Sequence, residues 1–133
     1  MGKEYFITIE DIIDLHSYIS PEGLLNRESL ESAYYAPFQI FDEEAFFPTI
    51  LEKIVRLSYG IIVNHAFVDG NKRLGLVLLQ SLTSANGIIL EASDIELRNI
   101  ILDIAKGDVT YDDYIVWVRN HIREDKFNEK RYL

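Results

Sequence analysis

Residues 65–73 have the sequence His-Ala-Phe-Val-Asp-Gly-Asn-Lys-Arg and lie between two strongly apolar segments, residues 54–63 and 74–82. We predict that both apolar segments are helices. A loop with a histidine, a carboxylate, a Gly-Asn pair and two cations contributes little to a hydrophobic core. The first turn of a helix, in contrast, binds anions through its free backbone amides and the positive end of its dipole. The stretch therefore predicts a loop that holds a phosphate chain against the start of the second helix.

The composition limits the classes of protein to be considered. With 133 residues, 48% of them hydrophobic and 26% charged, the chain is predicted to form one soluble domain over residues 1–133. The net charge of −9 argues against nucleic-acid binding, including a helical DNA-binding regulator, because such binding needs clustered Lys and Arg. Cysteine is absent, which excludes disulfides and thiolate metal sites.

No targeting or membrane segment is predicted. Residues 1–5 lack the apolar stretch and small-residue cleavage site of a signal peptide. No run approaches the roughly 18 consecutive apolar residues of a membrane helix. We therefore expect a cytoplasmic protein with no membrane partner.

The first half of the chain is predicted to contain three helices and one exposed hairpin. Thr8 is positioned to cap the first helix, and residues 27–35 are predicted to form a second helix that stops before a proline. Residues 49–64 have apolar side chains on one face of a third helix. Residues 37–48 carry aromatic and β-branched side chains on either side of an acidic turn, with a proline at each end. This pattern predicts a short hairpin or an exposed flap.

The second half is predicted to be helical throughout. Residues 74–82 are apolar nearly all round, which predicts the buried central helix, and the Asn-Gly pair at 86–87 is expected to end it. Two amphipathic helices are predicted at residues 93–106 and 110–123. The charged tail, residues 124–133, is expected to fray.

His65 and Asp69 are the loop residues best suited to take part directly in chemistry. A histidine can accept a proton from a hydroxyl near neutral pH, so His65 is a candidate general base; the alternative is a cap of the preceding helix. Asp69 offers a hard oxygen ligand for Mg²⁺, and the alternative is an N-cap of the following helix. His16 and His121 have no comparable neighbours in sequence and are predicted to be structural.

The candidate phosphate-binding residues of the loop are Gly70, Asn71, Lys72 and Arg73. Gly70 permits a tight turn, so that the backbone amides of Gly70, Asn71 and Lys72 can form an anion-binding nest. Lys72 and Arg73 stand at the helix end where the dipole disfavours cations, and a bound phosphate would compensate for that cost. The alternative is two solvated side chains. Phe67 is predicted to be structural, with its ring anchoring the loop to the core.

The stretch resembles the signature of the Fic protein family, His-x-Phe-x-Asp/Glu-Gly-Asn-Gly-Arg-x-x-Arg. It is most similar to the Doc (death-on-curing) branch, in which lysine replaces the second glycine of the motif. The resemblance extends over about residues 6–122. It implies an all-α fold, a single Fic-type helical domain with a short β-hairpin or flap before the central helix pair. The matching residues are His65, Phe67, Asp69, Gly70, Asn71, Lys72 and Arg73.

The resemblance implies an enzyme that transfers part of ATP, bound with Mg²⁺, to a serine, threonine or tyrosine hydroxyl of a target protein. It implies that His65 is the general base and that Asp69 binds the Mg²⁺. Arg73 would pair with a phosphate, which makes it the third catalytic residue. The flap, around residues 38–47, would align the target segment by strand-like pairing. The ATP phosphates would be bound by Gly70, Asn71, Lys72 and Arg73.

Two positions depart from the general Fic motif. Lys72 replaces a glycine, and the resemblance implies that its side chain projects toward the usual site of the α-phosphate. Leu76 stands where the motif has its second arginine, a ligand of the γ-phosphate. Both departures are shared with Doc proteins and favour transfer of the γ-phosphoryl group by a protein kinase. The alternatives are an adenylyl (AMP) transferase on the same scaffold and a degenerate domain that binds a nucleotide or a partner without turnover.

The resemblance also predicts partners. Doc-like proteins are typically toxins held in check by a small antitoxin, whereas many Fic proteins inhibit themselves through a Ser/Thr-x-x-x-Glu-Gly/Asn helix. The Glu-Gly pair of this chain is Glu22-Gly23, and Tyr18 stands four positions before the glutamate. We therefore expect restraint by an antitoxin in trans, and a target protein such as a component of the translation machinery.

Overall fold

The computed structural model describes residues 3–124, and most of them are helical. Six α-helices are present in this part of the chain: α1 (Ile9–Ser17), α2 (Arg27–Tyr35), α3 (Ile50–Asn64), α4 (Asn71–Ala85), α5 (Asp94–Lys106) and α6 (Tyr111–Arg119). A short 3₁₀ turn, Ala36–Phe38, follows α2. Four short strands complete the description: β1 (Ile40–Phe41), β2 (Glu44–Ala45), β3 (Ile88–Leu90) and β4 (Ile122–Glu124). The predicted all-α fold is confirmed.

Helix capping explains where most of these helices begin. Five of the six start after a residue whose side chain accepts a backbone N–H of the first turn: Thr8, Asn26, Thr49, Ser93 and Thr110. Each such cap stabilises the fold by about 0.5–2 kcal/mol. The sixth, α4, starts after Gly70, which has no side chain and adopts a left-handed φ of 84°. The first turn of α4 therefore lacks an N-cap side chain.

The core lies between α3 and α4, which pack directly against each other. Gly75 makes this close approach possible, because a Cβ at that position would lie 2.5 Å from Cγ1 of Ile62. Ser58 of α3 donates to the Gly75 carbonyl oxygen at 2.8 Å, and Tyr114 of α6 lies 2.9 Å from the same hydroxyl. Since the Ser58 proton goes to the carbonyl, the Tyr114 hydroxyl donates to Ser58. This buried chain of hydrogen bonds joins three helices.

The predicted flap is a short hairpin, which confirms the interpretation of residues 37–48. Ile40 pairs with Ala45 and Phe41 with Glu44 in antiparallel register. The turn residues Asp42 and Glu43 both have positive φ, 51° and 66°, as in the tight turns that match the twist of two short strands. Ile40 and Phe41 are largely exposed. The hairpin thus presents apolar side chains to solvent.

The end of the described chain differs from the prediction. The last helix, α6, ends at Arg119 and not at residue 123, and Ile122–Glu124 forms β4, paired with β3 in a second small sheet. Local periodicity could not show this pairing, because it joins segments far apart in sequence. Of the predicted frayed tail, residues 125–133 lie outside the described residues. Within residues 3–124, no helix is long and apolar enough to cross a bilayer.

Candidate active site

An open cavity of about 570 Å³ lies where the loop after α3 meets the start of α4 and one face of α5. Its volume falls in the range of small-molecule sites, about 300–1,000 Å³. Every residue predicted for the site from sequence lines it: His65, Asp69, Gly70, Asn71, Lys72 and Arg73. The remaining lining residues are Ile62, Val68, Leu76, Arg98, Ile101, Leu102 and Ala105.

His65 is the C-cap residue of α3 and has a left-handed backbone, with φ 50° and ψ 47°. This conformation costs a residue other than glycine roughly 1–2 kcal/mol, and it turns the chain sharply out of the helix. The side chain is exposed and makes no hydrogen bond to any of residues 3–124. The ring therefore does not cap α3, and its nitrogen atoms are free to meet a ligand in the cavity.

Phe67 and Asn71 hold the middle of the loop. Phe67 is 1% exposed, as expected for the residue predicted to anchor the loop. Asn71 is also buried, and its side-chain amide bonds both backbone groups of Phe67, at 3.1 Å to the N–H and 2.8 Å to the carbonyl oxygen. The Asn71 side chain is thus occupied within the protein. Only its backbone amide remains for the phosphate-binding role predicted from sequence.

The segment before α2 holds the other side of the loop. The Leu25 and Asn26 amides donate to the Ala66 carbonyl oxygen, at 2.8 and 3.0 Å, and the Val68 amide donates to Gly23 at 3.2 Å. These bonds form a strand-like contact over one residue pair. The loop is consequently fixed by backbone bonds on one side and by the Asn71 side chain on the other, which suits a site that must be organised before a ligand binds.

Asp69 has an exposed side chain at the cavity wall. The N-cap alternative is wrong, because the residue before α4 is Gly70. Within residues 3–124, the carboxylate has one hydrogen bond, from the Ser20 hydroxyl at a long 3.5 Å. The described chain contains no cluster of three or more His, Cys, Asp or Glu side chains that could hold a metal ion. A single carboxylate fits Mg²⁺, which often binds one or two carboxylates together with substrate phosphates.

The first turn of α4 supplies the groups for an anion. In the described chain, the amides of Gly70, Asn71, Lys72 and Arg73 bond no backbone or side-chain acceptor; the first bonded amide is that of Leu74, to the Gly70 carbonyl oxygen. Lys72 and Arg73 are exposed at the cavity. The ion pairs found among residues 3–124 include neither of them. At this helix start, amides and cations that have no partner among residues 3–124 therefore lie together.

His16 lies against this loop, a contact that was not predicted from the sequence. Its Nε2 atom lies 2.7 Å from the Asp69 carbonyl oxygen, and its ring stacks on Phe67 with centroids 3.8 Å apart. The side chain is 2% exposed. This burial agrees with the prediction that His16 is structural, but its contact with Asp69 was not predicted. His16 and Asp69 are 53 positions apart in the sequence, so no local sequence signal could have revealed their contact.

Helix α5 forms the wall of the cavity opposite the loop, and its part in the site was not predicted from the sequence. Arg98, Ile101, Leu102 and Ala105 follow the spacing of one helix face and all line the cavity. The only sequence signal for this wall was Arg98, a cation on an otherwise apolar helix face. Together with Leu76, this wall offers apolar surface opposite the polar loop, an arrangement suited to a ligand with both a flat ring and a phosphate chain.

A sequence model of the Fic/DOC family matches residues 6–83, and the chain therefore belongs to this family. The match runs from the residues before α1 through most of α4 and includes the whole loop. Members of the family generally transfer nucleotide-derived groups to proteins, with ATP as the usual substrate. No match is found among curated proteins.

Proposed function

We propose that this chain is a Doc-type protein kinase, which transfers the γ-phosphoryl group of ATP to a hydroxyl side chain of a target protein. The observation that carries the proposal is the pair Lys72 and Leu76, both of which line the cavity. They replace the glycine and the second arginine of the general Fic motif. They are four residues apart on α4 and thus lie on the same helix face.

Each replacement changes where phosphates can bind. Lys72 adds bulk and charge at the first turn of α4, where the general motif leaves room for the α-phosphate of a nucleotide about to lose AMP. Leu76 offers an apolar surface where the general motif has a γ-phosphate ligand. A nucleotide bound in the reverse direction would bring its γ-phosphate to the amides of α4. Leu76, Ile101 and Leu102 would then face its less polar parts.

The chemistry of this proposal requires few groups. The His65 ring accepts the proton of the target hydroxyl as its oxygen attacks the γ-phosphorus, the bond to the β–γ bridging oxygen breaks, and ADP leaves. Lys72, Arg73 and the amides of α4 stabilise the negative charge on the transferred group. Mg²⁺ bound by Asp69 and the phosphates would neutralise further charge.

The partners follow from the same proposal. The exposed hairpin, β1 and β2, would pair with an extended segment of the target and bring its hydroxyl toward His65. Restraint would come from an antitoxin in trans, and the translation machinery is the expected source of the target. A bacterial lysate is therefore the appropriate mixture in which to look for a substrate.

The proposal is tested with ATP labelled at either the γ- or the α-phosphate, incubated with Mg²⁺, the purified protein and a lysate. Transfer of the γ-label alone to a discrete protein supports the kinase. Transfer of the α-label identifies an adenylyl transferase and refutes the argument from Lys72 and Leu76. If neither label moves while an active relative labels its target in the same lysate, the chain is a binding domain without turnover.

A further inference from the structure

The carbonyl oxygen and the N–H of the Asp69–Gly70 peptide face different surroundings. Its carbonyl oxygen lies 2.7 Å from Nε2 of His16. The described chain contains no cis peptide bond, so the carbonyl and the N–H of this peptide point in opposite directions. The Gly70 N–H is therefore directed away from His16. Gly70 lines the cavity, and none of residues 3–124 accepts a hydrogen bond from its N–H.

Glycine by itself does not fix the orientation of this peptide. Gly70 has a φ of 84°, and glycine adopts positive and negative φ about equally well. A rotation of the peptide plane would turn the N–H toward His16 and the carbonyl oxygen away from it, where it would repel an anion. The neighbouring amides of Asn71 and Lys72 belong to α4 and are fixed by the helix. The Asp69–Gly70 peptide is thus the part of the phosphate-binding nest that needs an external contact.

His16 is well placed to supply that contact. The side chain is 2% exposed and stacks on the Phe67 ring, with the two ring planes only 17° apart. Ser20, three residues after the end of α1, also contacts Asp69, because its hydroxyl lies 3.5 Å from the carboxylate. A carbonyl oxygen only accepts, so Nε2 of His16 carries a proton and donates it. That bond also polarises the peptide and makes the Gly70 N–H a stronger donor.

We propose that His16 is a positioning residue that locks the Asp69–Gly70 peptide so that the Gly70 N–H faces the bound phosphate. This proposal rests on one part of the proposed function, namely that the cavity binds a phosphate chain. It requires no transfer of that phosphate. His16 acts through the backbone and touches neither the nucleotide nor the target.

Three variants test this assignment. His16→Phe keeps a ring that can stack on Phe67 but removes the donor, whereas His16→Gln restores an N–H at a similar reach. His121→Phe is a matched control, because His121 also stacks on an aromatic ring, Trp117 at 4.0 Å, and contacts a carbonyl oxygen, yet lines no part of the cavity. Inorganic pyrophosphate is the probe, and its binding is followed at the Gly70 amide by ¹H–¹⁵N NMR.

We expect pyrophosphate to shift the Gly70 amide in the native protein and in His121→Phe. His16→Phe should bind about tenfold more weakly and lose the shift, as for one lost hydrogen bond, and His16→Gln should recover most of both. Equal affinity and an equal Gly70 shift in His16→Phe would overturn the assignment. The same holds if Gly70 does not respond in the native protein, a result that would also count against the phosphate site.

A second measurement needs only the native protein and covers the case in which His16→Phe does not fold. Long-range ¹H–¹⁵N NMR of the His16 ring should show a protonated Nε2, and an unprotonated Nε2 would overturn the assignment. Neither experiment involves transfer of a group to a protein. Pyrophosphate binding that depends on His16, without any label transfer, would support the positioning role and contradict the kinase.

Discussion

The side-chain amide of Asn71 is bonded to both backbone groups of Phe67, accepting from the N–H at 3.1 Å and donating to the carbonyl oxygen at 2.8 Å. Both residues are buried, and they bracket the turn that contains Asp69 and Gly70. An asparagine in the first turn of α4 thus shapes the loop before it. The candidate phosphate-binding amides and the candidate base are consequently held by the same short segment.

Asn71→Ala should destabilise the protein and loosen the loop. The substitution leaves the Phe67 N–H and carbonyl buried without partners, and we expect a loss of about 1–3 kcal/mol in the free energy of unfolding. Urea denaturation measures this loss. Asn64→Ala is the matched control, because the Asn64 side chain donates a single hydrogen bond, to the Ser29 carbonyl oxygen at 3.1 Å. Equal effects of the two substitutions would contradict the special role of Asn71.

Lys72→Gly should shift the reaction toward adenylyl transfer, because it removes the bulk and charge that we hold responsible for the direction of the nucleotide. The shift should grow when Leu76→Arg is added, since the arginine restores the γ-phosphate ligand of the general motif. The ratio of α- to γ-label transferred measures the effect. Lys72→Met keeps most of the bulk but removes the charge, so its shift should be smaller than that of Lys72→Gly. An unchanged product in the double variant would refute the explanation.

Arg98→Ala should weaken ATP binding. Arg98 lines the cavity from α5 and belongs to none of the ion pairs found in residues 3–124, so its charge is available to an anionic ligand. Loss of one charge-assisted contact should lower the affinity about tenfold, as measured by calorimetry. Lys106→Ala removes a charge at the end of the same helix, outside the cavity, and should leave binding unchanged. If the two variants bind equally well, Arg98 is not a ligand.

Alkaline pH should destabilise the protein through two tyrosines, the buried Tyr114 and the partly buried Tyr111. Burial raises the pKa of Tyr111 to about 12 and also raises the pKa of Tyr114. Between the ordinary tyrosine pKa near 10 and these folded values, the unfolded chain loses protons that the folded chain keeps. The free energy of unfolding therefore falls as the pH rises above about 10. Tyr111→Phe should flatten that fall in urea titrations, and an unchanged slope would contradict the assignment.

Local signals in the sequence account for much of the fold. The bounds of α2 are the predicted 27–35, and Thr8 caps α1 as expected, because capping and helix periodicity act within a few residues. The pairing of β3 with β4 was missed, since it joins distant segments that each span only three residues. Residues 120–123 were predicted to be helical because their pairing partner, β3, lies far away in the sequence.

For the candidate site too, features set by neighbouring residues could be predicted from the sequence, whereas contacts between distant segments could not. The loop and the first turn of α4 are contiguous in sequence, so the candidate residues could be chosen from the sequence alone. The structure places all six of them at one cavity: His65, Asp69, Gly70, Asn71, Lys72 and Arg73. His16 and Arg98 enter the site from other helices. Their positions depend on how α1 and α5 pack, which the residue pattern of either helix alone does not reveal.

The proposed kinase requires His65 to catalyse transfer of a γ-phosphoryl group, and the mass added to the modified target tests this requirement. The target protein labelled in the lysate would be isolated and its mass compared after incubation with the native protein and with His65→Ala. We expect the mass of one phosphoryl group, absent with His65→Ala, and ATP binding by that variant close to the native affinity. The mass of an adenylyl group, or the same modification without His65, would contradict the claim.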